Sequence, residues 1–304
     1  MYDIVIIGAG PAGLTAATYS LRAGKTVLVI EKAGFGGQIA FSPKIENFPG
    51  IVSVSGSELA ERLVEQPLEL GAETAFGEVT GIHGTPGSFT VTTEDEKYAC
   101  KAIIIASGAK HRRLNVEGED TFAGNGISYC AVCDGAFFAS QNVAIVGGGN
   151  SALQEAVLLS DICESVTIIQ NLPFLTGEAR LQEILNERKN VRIITSVTVD
   201  RLFGGEALEG AVIRHAETGE TETVSCTGLF VAIGLEPQNA AFADVVALDE
   251  QGYIIAGEDC RTSADGICAA GDCRTKQYRQ VATAIADGAA AALSACAYLD
   301  GRGT

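Results

Sequence analysis

Asp3-Ile4-Val5-Ile6-Ile7-Gly8-Ala9-Gly10-Pro11-Ala12-Gly13 decides the fold. A short apolar run meets a glycine turn, and Leu14–Ala23 then reads as a helix. Thr26–Ile30 is a second apolar run that ends at Glu31, 18 positions beyond Gly13. This is a strand–turn–helix–strand unit of the kind that cradles a dinucleotide. Gly8 makes the tight turn, Gly10 lets the backbone approach a pyrophosphate, and Gly13 permits close helix–strand packing. Ala9, Pro11 and Ala12 complete the turn, and the helix start supplies amide donors and a positive dipole end. Glu31 is placed to accept from a ribose 2′-hydroxyl. The bland alternative is a glycine turn with no ligand, which leaves Glu31 unexplained.

The pattern recurs at Gly147-Gly148-Gly149-Asn150-Ser151-Ala152, with a strand expected at Asn142–Val146, a helix at Ala152–Ser160 and a strand at Ser165–Ile169. Between the two turns stands Cys130-Ala131-Val132-Cys133-Asp134. Outside them, Ala102–Leu114 links the halves, with the strand Ile103-Ile104-Ile105 ending in Ala106-Ser107-Gly108. Residues 228–234 read as a strand that exits at Glu236-Pro237, residues 266–272 as a strand ending in Asp272, and Gln280–Leu299 as an alanine-rich helix. The expected architecture is α/β: two doubly wound, Rossmann-like nucleotide-binding domains, the second inserted in the first. Residues 1–110 and 236–304 form one domain, and 111–235 form the other.

Composition narrows the function. The 304 residues are 47% hydrophobic and 19% charged, with 36 glycines and no tryptophan, as suits a globular α/β protein. A net charge of −17 argues against a nucleic-acid binder. No stretch reads as apolar enough to span a membrane, and the start lacks a basic leader, so the expected location is the cytoplasm. Nine cysteines in that setting do not suggest a disulfide framework. No metal site is expected, because Cys268 and Cys273, the one other close pair, are poorly spaced for zinc.

Cys130 and Cys133 alone have redox spacing. Two thiols three apart close a small disulfide ring, and a helix start beside them favours thiolate, the attacking species. Exchange releases a thiolate that needs a proton, and Asp134 is adjacent. Two buried cysteines beside a surface acid are the plain alternative. Asp272, at a strand end, is suited either to flavin ribityl hydroxyls or to capping a helix. Cys273 reads as a small core residue.

These residues resemble the low-molecular-weight thioredoxin reductases over essentially the full length. Gly36-Gly37-Gln38 and Glu46-Asn47-Phe48-Pro49-Gly50 resemble the family's flavin-contacting loop. Ala106-Ser107-Gly108-Ala109 resembles its Ala-Thr-Gly strand end, and Tyr129–Gly135 its active-site motif, with Val132 where threonine is common. Gly271-Asp272 with Tyr278-Arg279-Gln280-Val281 resembles its second flavin segment. The resemblance implies FAD held at Gly8–Gly13, Glu31, Gly37, Gln38, Asn47, Val79, Ala106, Gly108, Asp272, Arg279, Gln280 and Val281. It also implies a homodimer and a second domain that turns relative to the first. Cys133 would face the flavin, Cys130 would attack the thioredoxin disulfide, and Asp134 would be the general acid/base.

One departure stands out. Where the family carries His-Arg-Arg-x-x-x-Arg for the 2′-phosphate of NADPH, this chain has Gln170, Asn171, Leu172 and Thr176. Charge-assisted hydrogen bonds are worth roughly 1.5–3 kcal/mol each, so losing two costs about two to four decades of affinity. NADPH is expected to be a poor donor, with Arg180 compensating only through a rearranged loop. NADH remains, with Gln170 able to hydrogen-bond a ribose, as does reduced ferredoxin, in keeping with the family's ferredoxin-linked branches. Leu172, Pro173 and Phe174 read as packing residues. Lys110-His111-Arg112-Arg113 and Arg274, Lys276 and Arg279 are the candidate basic patches for an acidic ferredoxin. Competing readings are an NADH-dependent disulfide reductase, a small-dithiol oxidase and a non-catalytic flavoprotein. Asp134 speaks against the last, and ferredoxin–NADP reductases lack the cysteine pair.

Overall fold

A computed structural model describes residues 1–42 and 44–301. The chain forms two compact units, Met1–Lys110 with Glu236–Thr304 and His111–Leu235.

In the first unit, Tyr2–Ile7 is the inner strand of a sheet. Val27–Glu31 and then Glu73–Phe76 lie parallel on one side of it, and Lys97–Ile105 lies parallel on the other. The long strand Lys97–Ile105 serves two neighbours. Its first half pairs antiparallel with Ser88–Thr93, which in turn pairs with Val79–Thr85, and its second half pairs parallel with Ile267–Ala269. The strand Tyr2–Ile7 is apolar without alternation because both faces are covered. Ile4 and Ile6 pack with Leu14, Ala16, Ala291 and Ala295. Val5 and Ile7 pack with Ile103, Phe89, Phe242 and Ile254 on the other side.

The first helix is Pro11–Arg22, beginning three residues earlier than expected, because proline is well accommodated at the first helical position after the Gly10 cap. The strand expected over 266–272 stops at Ala269; Gly271, at φ +80°, turns the chain into a short 3-10 turn holding Asp272. Val281–Leu299 is 19 residues long and apolar enough to cross a bilayer by length and composition, which corrects the expectation of no such stretch. Its Ala284, Ala291, Ala292, Ala295 and Cys296 are buried in the core beside the first helix, which accounts for that apolarity.

In the second unit the parallel sheet runs Val191–Ile194, Ser165–Ile169, Asn142–Val146, Gly228–Val231 and Ile127–Ser128. Asn150–Ile162 packs on one face through Leu153 and Leu159, against Val143, Ile145 and Ile168. On the other face Ala144 and Val146 meet the antiparallel strands Val197–Gly204, Leu208–His215 and Thr221–Ser225. Strand direction in both sheets puts the glycine turns at carboxyl ends, where doubly wound folds bind ligands.

Candidate active site

In the first unit, Gly8 sits at φ +103°, and a Cβ there would lie 2.3 Å from the Ala106 carbonyl oxygen. A Cβ on Gly13 would lie 1.9 Å from the Gly8 carbonyl oxygen, so helix and turn touch backbone to backbone. Gly10 is different: a Cβ there would meet nothing within 4 Å, so the turn is open above its middle glycine. Glu31 anchors the turn, its Oε2 accepting from the Ala9 amide at 2.8 Å and its Oε1 from the Ala33 amide at 2.9 Å. Each oxygen keeps a second lone pair for a hydroxyl.

Of the other residues that the resemblance selects, Ala106 and Gly37 lie against that turn. Gly37, at φ +59°, approaches Gly10 so closely that a Cβ would lie 3.0 Å from its Cα. Gln38 donates through Nε2 to the Ala109 carbonyl. Gly108, at φ +70°, has open space where a Cβ would stand. Asn47 Nδ2 donates to Gln280 Oε1 at 3.3 Å, and Gln280 caps the helix that Val281 begins. Arg279 stacks its guanidinium 4.1 Å from the Tyr253 ring centroid. Val79 is buried in the sheet core.

Asp272 caps no helix. Its Oδ1 is buried and accepts no hydrogen bond from the described residues, and burial pushes its carboxyl above the ordinary range against the pull of Lys276 and Arg279. A buried carboxylate oxygen without a donor is costly unless a ligand supplies one. An open glycine turn, an anchored acid and this orphaned oxygen fit FAD, with the turn at the pyrophosphate, Glu31 at a ribose and Asp272 at a polyol. Cys273, next in sequence, is wholly enclosed. Its thiol lies 3.3 Å from the Ala270 carbonyl oxygen and 3.4 Å from that of Ile105, and burial pushes it up to about 11.

In the second unit Cys130 and Cys133 are joined as a disulfide, with Cα atoms 5.3 Å apart. Cys130 is the N-cap of the short helix Ala131–Asp134, and its sulfur accepts from the Cys133 amide at 3.2 Å. Ser128 ties the group together: its Oγ accepts from the Cys130 amide at 3.1 Å and donates to Asp134 Oδ2 at 2.7 Å. Burial raises the Asp134 carboxyl, and the Ser128 bond opposes it.

Sequence reasoning missed Glu155. From Asn150–Ile162 its Oε2 accepts from the Ala131 amide at 3.3 Å, and burial pushes it up to about 7. The only signal was that Glu155 is one of two acids in an otherwise largely apolar helix.

The second glycine turn repeats the first. Gly147, at φ +133°, would place a Cβ 2.4 Å from the Ala232 carbonyl oxygen, as Gly8 would against Ala106. Gly8 donates to Ile30 and Gly147 to Ile169, so Gln170 holds the place of Glu31. Gln170 behaves differently. It is 5% exposed, donates through Nε2 to the Phe174 carbonyl at 3.2 Å, and accepts at Oε1 from the Asn171 amide at 3.2 Å. A Cβ on Gly148 would lie 2.6 Å from its Cδ. The expected ribose ligand is thus committed to its own loop.

Two further expectations are corrected. Leu172 and Phe174 do not pack; they are 40% and 59% exposed, because the backbone is pinned beneath them by the Thr176 and Gly177 amides donating to Gly148. Arg274 and Lys276 form no surface patch. Their side chains are 11% and 8% exposed, and both pair with buried Asp287.

Comparison with known proteins agrees with this geometry. Residues 2–288 match the pyridine nucleotide-disulphide oxidoreductase family. Thioredoxin reductase of Treponema pallidum (strain Nichols) is 38% identical over 300 residues, covering 98% of this chain and 97% of that protein. That of Listeria monocytogenes is 39% identical over 301 residues, covering 99% and 94%. The crystal structure of thioredoxin reductase from Streptococcus pyogenes superposes with a TM-score of 0.94 at 38% identity, covering 99% of each chain. Two Rossmann-like units, a dithiol motif and full-length similarity place the chain in the low-molecular-weight thioredoxin reductase family, as a flavin-dependent disulfide oxidoreductase.

Proposed function

We propose that this chain reduces the disulfide of thioredoxin with electrons that reach its flavin from a donor other than NADPH, in particular reduced ferredoxin. The observation that carries the donor reading is Gln170: its amide is spent within its own loop, and residues 170–177 hold no cation for a 2′-phosphate. NADH is the second reading, favoured by the retained glycine turn.

In this reading residues 1–110 and 236–304 hold FAD through the residues named above, and 111–235 carry the dithiol. When bound and reduced by its donor, FAD would supply the electron pair that opens the Cys130–Cys133 disulfide to a dithiol. Cys130 then attacks a thioredoxin sulfur as thiolate, helped by the Cys133 amide that already points at its Sγ. The sulfur that leaves takes a proton from Asp134, whose raised carboxyl and Ser128 bond suit a proton held beside the exchange. Cys133 next attacks Cys130 Sγ, re-forming the intramolecular disulfide and releasing the second thiol. Val132, 55% exposed between the cysteines, suits a protein surface better than a small dithiol. Seven buried cysteines outside the redox pair accord with a reducing compartment, the cytoplasm, and the family resemblance supports a homodimer.

The test is anaerobic turnover with oxidised thioredoxin, measuring thiols formed with NADPH, NADH and reduced ferredoxin in turn. Ferredoxin is expected to support turnover and NADPH to fail; equal turnover with NADPH would overturn the donor reading.

A further inference from the structure

The inside of the alanine-rich helix holds a charged group that the reaction does not use. Asp287 is the one charged residue in Val281–Leu299. Its Oδ1 accepts from Arg274 Nη2 at 2.7 Å, and its Oδ2 from Arg274 Nε at 2.8 Å, Lys276 Nζ at 2.8 Å and the Gly271 amide at 3.0 Å. Arg274 also donates through Nη1 to the carbonyls of Ala256 and Thr275. Burial alone would push the Asp287 carboxyl up; the two cations overcome that and hold it below the ordinary range.

Buried ion pairs are weak sources of stability, since desolvation offsets most of the attraction. What this one holds is better defined. Gly271, which donates to it, immediately precedes Asp272. A Cβ on Gly271 would lie 2.9 Å from Ala12 Cβ, and one on Gly288 would lie 2.2 Å from the Ala12 carbonyl oxygen. Asp287 thus stands where the Asp272 turn and the first glycine turn meet.

We infer that Asp287, with Arg274 and Lys276, is a positioning cluster that fixes Asp272 against the first glycine turn for flavin binding. This rests on Asp272 being a flavin ligand. The cluster acts through the Gly271 amide, which Asp287 Oδ2 holds at 3.0 Å.

The test is a double-mutant cycle read as the FAD dissociation constant of apoprotein, followed by quenching of flavin fluorescence. Asp272→Asn and Asp287→Asn are each expected to weaken FAD by about tenfold or more, which is about 1.4 kcal/mol. The double variant is expected to bind within about threefold of the weaker single variant, because both changes act on one contact. Lys276→Met removes a donor that fixes the same Asp287 oxygen as the Gly271 amide while keeping the Arg274–Asp287 pair; it is expected to repeat the pattern and serves if Asp287→Asn does not fold. FAD binding unchanged in Asp287→Asn or Lys276→Met, or effects that multiply in the double variant, overturns the inference. Unchanged binding in Asp272→Asn refutes instead the reading of Asp272 as a ligand, and the inference falls with it.

Discussion

Arginine at positions 171, 172 and 176 together is expected to restore what the second glycine turn lacks. Asn171 and Leu172 are exposed, so new side chains there meet solvent and not core. Thr176 lies over the turn, its Oγ1 3.8 Å from where a Cβ on Gly149 would stand. The Thr176 and Gly177 amides hold Gly148 at 2.8 and 2.9 Å, so the loop path survives the change. Two charge-assisted bonds to a 2′-phosphate are worth about 3–6 kcal/mol. Losing the Thr176 hydroxyl bond to the Gly148 carbonyl, at 3.2 Å, returns about 1 kcal/mol of that. The net is roughly 2–5 kcal/mol, or about 1.5 to 3.5 decades in Kd. Calorimetry with NADP+ and NAD+ on the oxidised protein separates the 2′-phosphate from the rest of the nucleotide. The triple variant should bind NADP+ more tightly by that margin and NAD+ hardly differently. No gain for NADP+, or an equal gain for NAD+, would refute the reasoning about the missing charges.

Cys130→Ser and Cys133→Ser should each abolish thioredoxin reduction in a turnover assay with any working donor. Gly13→Ala should strip most of the flavin, seen in the ratio of visible to protein absorbance, because the new Cβ would meet the Gly8 carbonyl at 1.9 Å. Glu155 gives a pH signature. Burial raises it from 4.5 to about 7, so the folded state binds its proton more tightly than the unfolded one. Its contribution to stability is full below the unfolded value and is lost as pH rises through about 7. In urea unfolding, the stability of wild type relative to Glu155→Gln should therefore fall by about 2–3 kcal/mol between pH 5 and pH 8, less where solvent reaches the carboxyl. Cys273→Ser should leave turnover unchanged, since the thiol is enclosed beneath Ile105 and Ala270.

The first turn was legible because its requirements are local. A left-handed φ at Gly8 and backbone contact at Gly13 admit little but glycine, and Glu31 stands one strand away. The cysteine pair is likewise a matter of spacing. What stayed hidden depends on tertiary partners. Nothing adjacent to Arg274 and Lys276 says that they turn inward, because their carboxylate lies thirteen and eleven residues on, in a helix whose alanines suggest only packing. Glu155 reaches Ala131 across twenty-four residues. Gln170 could be seen to replace an acid or a cation, but the loop it bonds to decides that its amide faces inward. The exposure of Phe174 has the same origin: the backbone bonds to Gly148 fix the loop, and the side chain takes the side that remains.

The most direct measurement is anaerobic rapid mixing of the oxidised, flavin-loaded protein with excess NADPH or with reduced ferredoxin, followed by flavin absorbance. Prompt bleaching is expected with ferredoxin and, with NADPH, an unchanged flavin on the same timescale. Prompt and complete bleaching by NADPH would contradict the donor reading.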